Sequence, residues 1–233
     1  MFFPERIRSI GSNDTVLEIG PGGTPHPRAD VFLEKRYDDP TVAERQRAFT
    51  PPLQISKEII FYEGGQFPFN DKQFDYIICS HVLEHVEDID AFLEEISRVG
   101  KRGYLEYPTI YYDYVYNFPE HITLVLQRNK VLYWMPKAET ELDRFQCVQN
   151  LFYESLHKGN TAMVDELRSF LFQGFEWEGR IDSQRAFSLE QVSYTPEELQ
   201  FPAQRKENGQ QKLEGRFLSA LGKLLCRIRK GSL

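Results

Sequence analysis

Four short, nearly continuous apolar runs, each stopped by a turn or a polar residue, constrain this chain more than any other feature. Val16–Ile19 stops at Gly20-Pro21-Gly22-Gly23, and residues 31–33, 59–62 and 76–79 stop at Glu34, Glu63 and Ser80. Strands that are apolar at successive rather than alternate positions are buried on both faces, which is the pattern of a parallel sheet. A helical stripe follows at positions 89, 92, 93, 96 and 99, with Asp88 as N-cap and Gly100 just beyond its end. Residues 103–107 then read as a fifth strand, stopped by Pro108. Strands and crossovers in this order predict a doubly wound α/β sheet, whose ligand lies outside the carboxyl ends of the strands.

The second half has a different character. Residues 121–127 and 131–135 flank Arg128-Asn129-Lys130 and predict a hairpin. Two helices are expected over 142–157 and 161–172, the second capped by Asn160 and ended by Gly174, and residues 175–181 can supply an edge strand. From 195 to 211 the chain turns polar, with Pro196, Pro202 and Gly209, and reads as a linker. Residues 212–233 then form a basic amphipathic stretch, with apolar positions at 213, 217, 218, 221, 224, 225 and 228. Such a helix suits a peripheral contact with an anionic membrane or a partner; docking on its own domain is the alternative.

Composition narrows the function classes. The 233 residues carry a net charge of −7, which disfavours a general attraction to nucleic acid. The 3 cysteines, Cys79, Cys147 and Cys226, are far apart and lack zinc-knuckle spacing, so a reducing, cytoplasmic setting is expected. No apolar run approaches the ~18 residues of a membrane span.

At the glycine turn, a dinucleotide fingerprint would place a third glycine at position 25 and a helix N-terminus facing pyrophosphate. Pro25, His26 and Pro27 stand there instead, and no Gly-Lys-Ser/Thr follows to make a P-loop. The remaining ligand approaches glycine backbone closely, carries no phosphate and offers a cationic group to Glu18. S-adenosyl-L-methionine meets those terms, with Glu34 placed to accept both ribose hydroxyls. Glu63 and Gly64 supply an acceptor for adenine, and Phe67-Pro68-Phe69 an apolar wall. On this reading Gly20→Val blocks the cofactor while leaving the fold intact.

The motifs Val16-Leu17-Glu18-Ile19-Gly20-Pro21-Gly22-Gly23, Glu63-Gly64 before Phe67-Pro68-Phe69, and 74–86 (FDYIICSHVLEHV) together resemble the class I S-adenosylmethionine-dependent methyltransferases of the small-molecule type. The resemblance covers roughly residues 14–108. It implies a Rossmann-like, mostly parallel seven-stranded sheet with an antiparallel last strand. It further implies that Glu18, Gly20, Gly22 and Gly23 hold the methionyl part, Glu34 the ribose, and Glu63 and Gly64 the adenine, with Ser80 and His81 beneath the cofactor. Residues 1–194 would form the methyltransferase domain, with its cofactor half over 1–108 and its acceptor half over 109–194. Two departures stand out. Only residues 24–30 separate the glycine turn from the second strand, too few for the usual helix, and Glu34 and Glu63 stand where aspartate is commoner.

Methyl transfer is an in-line displacement on an already electrophilic sulfonium, so the protein mainly aligns the acceptor and at times removes its proton. His81 and His121 are the candidate bases. His81, Glu84 and His85, at i, i+3 and i+4, resemble the Glu-x-x-Glu-His of some metal-assisted O-methyltransferases, but Leu-Glu-His-Val is common in the superfamily without metal, and none is expected. Tyr104, Tyr107, Tyr111, Tyr112, Tyr114 and Tyr116 crowd the region where the acceptor should lie. The expected function is methyl transfer to a small molecule or glycan precursor at oxygen; the alternative is a non-catalytic module that keeps the fold for binding or scaffolding.

Overall fold

A computed structural model describes residues 1–46 and 57–199. Five strands, β1 (Val16–Ile19), β2 (Val31–Lys35), β3 (Glu58–Tyr62), β4 (Phe74–Ser80) and β5 (Gly100–Pro108), are mutually parallel. Between them lie α1 (Pro40–Gln46) and α2 (Ile89–Val99). The expected linker begins at the edge of the described residues, and most of it and the basic tail lie outside them.

Among the described residues the main sheet has six strands, in the order β3-β2-β1-β4-β5-β8, where β8 (Phe172–Glu178) runs antiparallel to β5. The antiparallel last strand agrees with expectation; the resemblance implies seven strands, of which six lie among the described residues. The segment between β5 and β8 is used elsewhere. After α3 (Ile110–Tyr116), β6 (Thr123–Arg128) and β7 (Val131–Pro136) pair as the expected hairpin, and β9 (Asp182–Arg185) joins β7 in a separate three-stranded sheet. Asn129 and Lys130 take φ of +51° and +67°, the two left-handed residues that a tight hairpin turn requires.

Alternation along the strands divides the core. Leu17, Ile19, Ile77, Cys79 and Leu105 pack with Phe92, Leu93 and Ile96 of α2, whereas Val16, Tyr76, Ile78 and Tyr104 face Met1, Ile7 and Ile10 of the N-terminal segment. One face is thus covered by a helix and the other by nearly irregular chain. The Asp88 carboxylate caps α2 by accepting from the Ala91 amide at 3.0 Å. No helix intervenes between β1 and β2.

Two helix boundaries differ from the sequence reading. The first helix begins as a 3₁₀ turn, Leu142–Phe145, and continues as α4 (Gln146–His157). The second is broken into α5 (Ala162–Glu166) and α6 (Arg168–Leu171), with Thr161 rather than Asn160 at the N-cap, and ends three residues before Gly174. Gly174 lies within β8 opposite Glu106, where a Cβ would collide with the Tyr104 hydroxyl, so this glycine permits strand pairing rather than ending a helix.

Candidate active site

The strand order reverses between β1 and β4, and a cavity of about 1010 Å³ opens there, at the carboxyl ends of β1, β2 and β4. Glu18, Gly20, Gly22, Gly23, Glu34, Gly64, Ser80, His81 and His121 all line it. Glu63 does not. Its side chain is 69 % exposed and pairs with Arg36 at 3.2 Å on the outside, so the adenine role read for it is corrected, and Gln66 takes its place in the wall. Phe67 and Phe69 are likewise core rather than wall. They pack edge-on against Phe92 and Phe74, and Arg98 and Glu95 of α2 bind the backbone of Phe67.

Glu18 is 4 % exposed and accepts from the His26 amide at 2.8 Å, so the proline-containing loop that replaces a helix closes over its carboxylate. Burial pushes the carboxyl up to about 7, against the lowering effect of that hydrogen bond. A cationic ligand would recover the charged form. Gly20 and Gly22 both lie in the left-handed region, at φ +62° and +55°. Their surroundings differ. A Cβ on Gly20 would stand 2.5 Å from the Val82 side chain, whereas one on Gly22 meets nothing within 4 Å. Gly20 is therefore demanded by the fold itself, which corrects the expectation that Gly20→Val leaves the fold intact.

The floor beneath β4 centres on Glu106, a residue whose signal in the sequence is a lone carboxylate inside the apolar β5. Fully buried, it accepts from the amides of Phe2 and Phe3 at 2.6 and 2.9 Å, the Ser80 hydroxyl at 3.0 Å and the Tyr104 hydroxyl at 2.7 Å, and contacts His81 Nε2 at 3.1 Å. Burial alone would raise this carboxyl, but His81 and the other donors bring it down to about 2. His81 takes a φ of +59° and is held there by its amide on the Glu106 carbonyl at 2.8 Å and by its Nδ1 at 3.3 Å from Glu84. Burial would lower its pKa, yet the two carboxylates outweigh it and raise the value. Both ring nitrogens face carboxylates, so His81 is built as a strut with no free nitrogen to act as the base.

His121 is the other sequence candidate. It is buried, with Nδ1 on Asp113 Oδ2 at 2.8 Å and its ring stacked on Phe118. Lys137 holds the second oxygen of Asp113 at 2.8 Å. Its contacts with His121 and Lys137 overcome burial and hold the Asp113 carboxyl below its ordinary range. Asp113 and Lys137 were missed in the sequence; the only trace of Asp113 was an acid embedded in a tyrosine-rich helix, α3. Of the six tyrosines, Tyr112 alone lines the cavity, while Tyr104, Tyr107 and Tyr116 are core and Tyr114 is exposed.

Residues 39–105 match the family model described as a methyltransferase domain. The ubiquinone biosynthesis O-methyltransferase of Rickettsia bellii strain OSU 85-389 is 29 % identical over 106 residues, 44 % of this chain and 41 % of that protein. The chain thus spans well under half the length of this curated relative. Among solved structures, a chain in the complex between the Haloferax volcanii Trm112 methyltransferase activator and a methyltransferase has a TM-score of 0.41 at 15 % identity, covering 74 % of this chain and 85 % of that one. A Bacillus halodurans chain described as a methyltransferase gives 0.34 at 21 % identity, over 48 % of this chain and 55 % of its own. Motif order, the sheet with its cavity at the switch point and the family-model match over residues 39–105 agree in their likeness to the class I S-adenosylmethionine-dependent methyltransferases. Among the described residues no helix is long and apolar enough to cross a membrane.

Proposed function

We propose that the protein transfers a methyl group from S-adenosyl-L-methionine to a hydroxyl oxygen of a small molecule or glycan precursor. The observation that carries this is that one cavity is lined both by Glu18, the glycine turn and Glu34 and by His121, which Asp113 holds in place. The buried Glu18 carboxylate suits the ammonium of the methionyl part, and Gly22 lets that part approach the backbone. Glu34 accepts the ribose hydroxyls, and Gly64 and Gln66 border the adenine. Oxygen as the accepting atom is supported by the activity named for the Rickettsia bellii relative.

His121 meets the acceptor. Its Nδ1 is fixed by Asp113, so Nε2 faces the acceptor end of the cavity, where aligning the acceptor oxygen with the sulfonium methyl is the main catalytic task. Transfer of label from methyl-labelled S-adenosylmethionine to hydroxyl-bearing small molecules, with His121→Gln as the variant, tests this. The expected result is a drop in kcat of about 10²-fold or more with the affinity for S-adenosylhomocysteine retained. A variant as active as the parent would remove His121 from the acceptor site.

A further inference from the structure

Glu84 sits in the short 3₁₀ turn Leu83–His85 after β4, and its residue is 1 % exposed. One carboxylate oxygen contacts His81, but the other, Oε2, is buried with no hydrogen-bond partner in the protein. A buried carboxylate oxygen left alone is costly, so an orphan of this kind asks for an explanation. The adjacent groups supply one. His85 Nδ1 lies 2.9 Å from the Glu120 carbonyl oxygen, which can only accept, so Nδ1 carries the proton and Nε2 a lone pair. His121 Nδ1 is bound to the Asp113 carboxylate in the same sense.

Glu84, His85 and His121 each offer a ligand atom, and these atoms lie within 4.8 Å of one another on the cavity wall. With both rings neutral, three acceptors converge without a donor among them. The two segments are tied together, since the Ile122 amide donates to the Glu84 carbonyl at 2.8 Å and the Thr123 hydroxyl to the Val86 carbonyl at 2.6 Å. Each histidine also has its far nitrogen anchored, one on a backbone carbonyl and one on a carboxylate, the support that orients metal-ligating imidazoles.

We propose that Glu84, His85 and His121 bind a divalent transition-metal cation of the zinc, manganese or iron type at the acceptor end of the cavity. Two imidazoles and one carboxylate favour such borderline ions over magnesium or calcium, which prefer oxygen. Three protein ligands leave open positions, and for these the inference rests on the proposed methyl transfer: they take the acceptor oxygen. The acceptor hydroxyl binds as its conjugate base after its proton passes to water. Its oxygen forms the new bond to the methyl carbon as the carbon–sulfur bond breaks, and neutral S-adenosylhomocysteine leaves. His81, although closer in sequence to the Glu-His pair, is not a ligand, because both its ring nitrogens face carboxylates.

The test uses the full chain, stripped of metal by chelation and titrated with Co²⁺, whose visible absorption reports nitrogen and oxygen ligation. One Co²⁺ per chain, displaced by Zn²⁺, is expected. Glu84→Gln, His85→Gln and His121→Gln should each weaken binding about 100-fold, at or above the 10–100-fold typical of losing even a supporting contact. Cys147→Ser and His157→Gln should leave binding unchanged. Calorimetry with S-adenosylhomocysteine on the same variants shows that they are folded and reads the cofactor half separately. If the cofactor analogue binds but Co²⁺ does not, or binds equally to all three substituted chains, the metal site is overturned. If Co²⁺ binds as expected but the analogue does not, the site stands and the methyl-transfer reading falls.

Discussion

Glu18 decides how the cavity responds to pH. Its carboxyl is raised from the usual 4.5 to about 7 by burial, so the unliganded protein holds a proton there that a cationic ligand must expel. The affinity for S-adenosylmethionine should therefore rise as pH increases through about 7 and level off above it, and Glu18→Gln should bind more weakly, by roughly 1.5–3 kcal/mol, with that slope removed. The effect on stability has the opposite direction. Because the folded value is raised, the contribution of Glu18 is fully present below the unfolded carboxyl range and is lost as pH climbs through 7, where an unliganded charge is buried. Urea titrations of both chains from about pH 5 to about pH 8 should shift the balance toward the glutamine variant as pH rises. A difference that does not vary with pH would mean that Glu18 is already ionised. The place of Glu18 on the cavity wall was legible because it is an acid at a strand end before glycines. Glu63 looked equivalent, but one residue past β3 the chain turns outward, and its side chain finds Arg36 in solvent.

The glycine turn is where an element, rather than a side chain, makes the site. Gly20→Ala sets a methyl 2.5 Å from Val82 in a left-handed backbone, so both crowding and conformation oppose it. Gly22→Ala meets open space and should cost only the left-handed penalty, about 1–2 kcal/mol, at a residue that lines the cavity. Thermal melts should rank Gly20→Ala as the less stable, and cofactor titration should find Gly22→Ala folded but weakened. Equal stability of the two would show that Val82 yields. Strands β1 to β5 and helix α2 were readable because apolar runs and a capped stripe are local signals. The break between α5 and α6, and the ending at Leu171, were not, because the apolar spacing there runs on while pairing of Phe172 to Gly174 with β5 takes those residues into β8. Helix α3 was hidden among tyrosines, whose aromatic side chains favour strands as readily as helices.

For the molecule as a whole, the parallel sheet places its ligand cavity, and the segment after β5 brings the second wall. That wall could not be read from sequence spacing: Asp113, His121 and Lys137 are joined only by folding, and Glu106 gathers the N-terminal segment, β4 and β5 at a single carboxylate. The net charge of −7 and the acids around the cavity fit a cationic cofactor rather than a phosphorylated one. The most direct test of the account is calorimetric titration of the full-length chain with S-adenosylmethionine near pH 7, in two buffers of different ionisation enthalpy. The account predicts one site per chain, with an apparent heat that changes with the buffer because Glu18 releases a proton on binding. No heat at high micromolar ligand would contradict the assignment of the cavity to this cofactor.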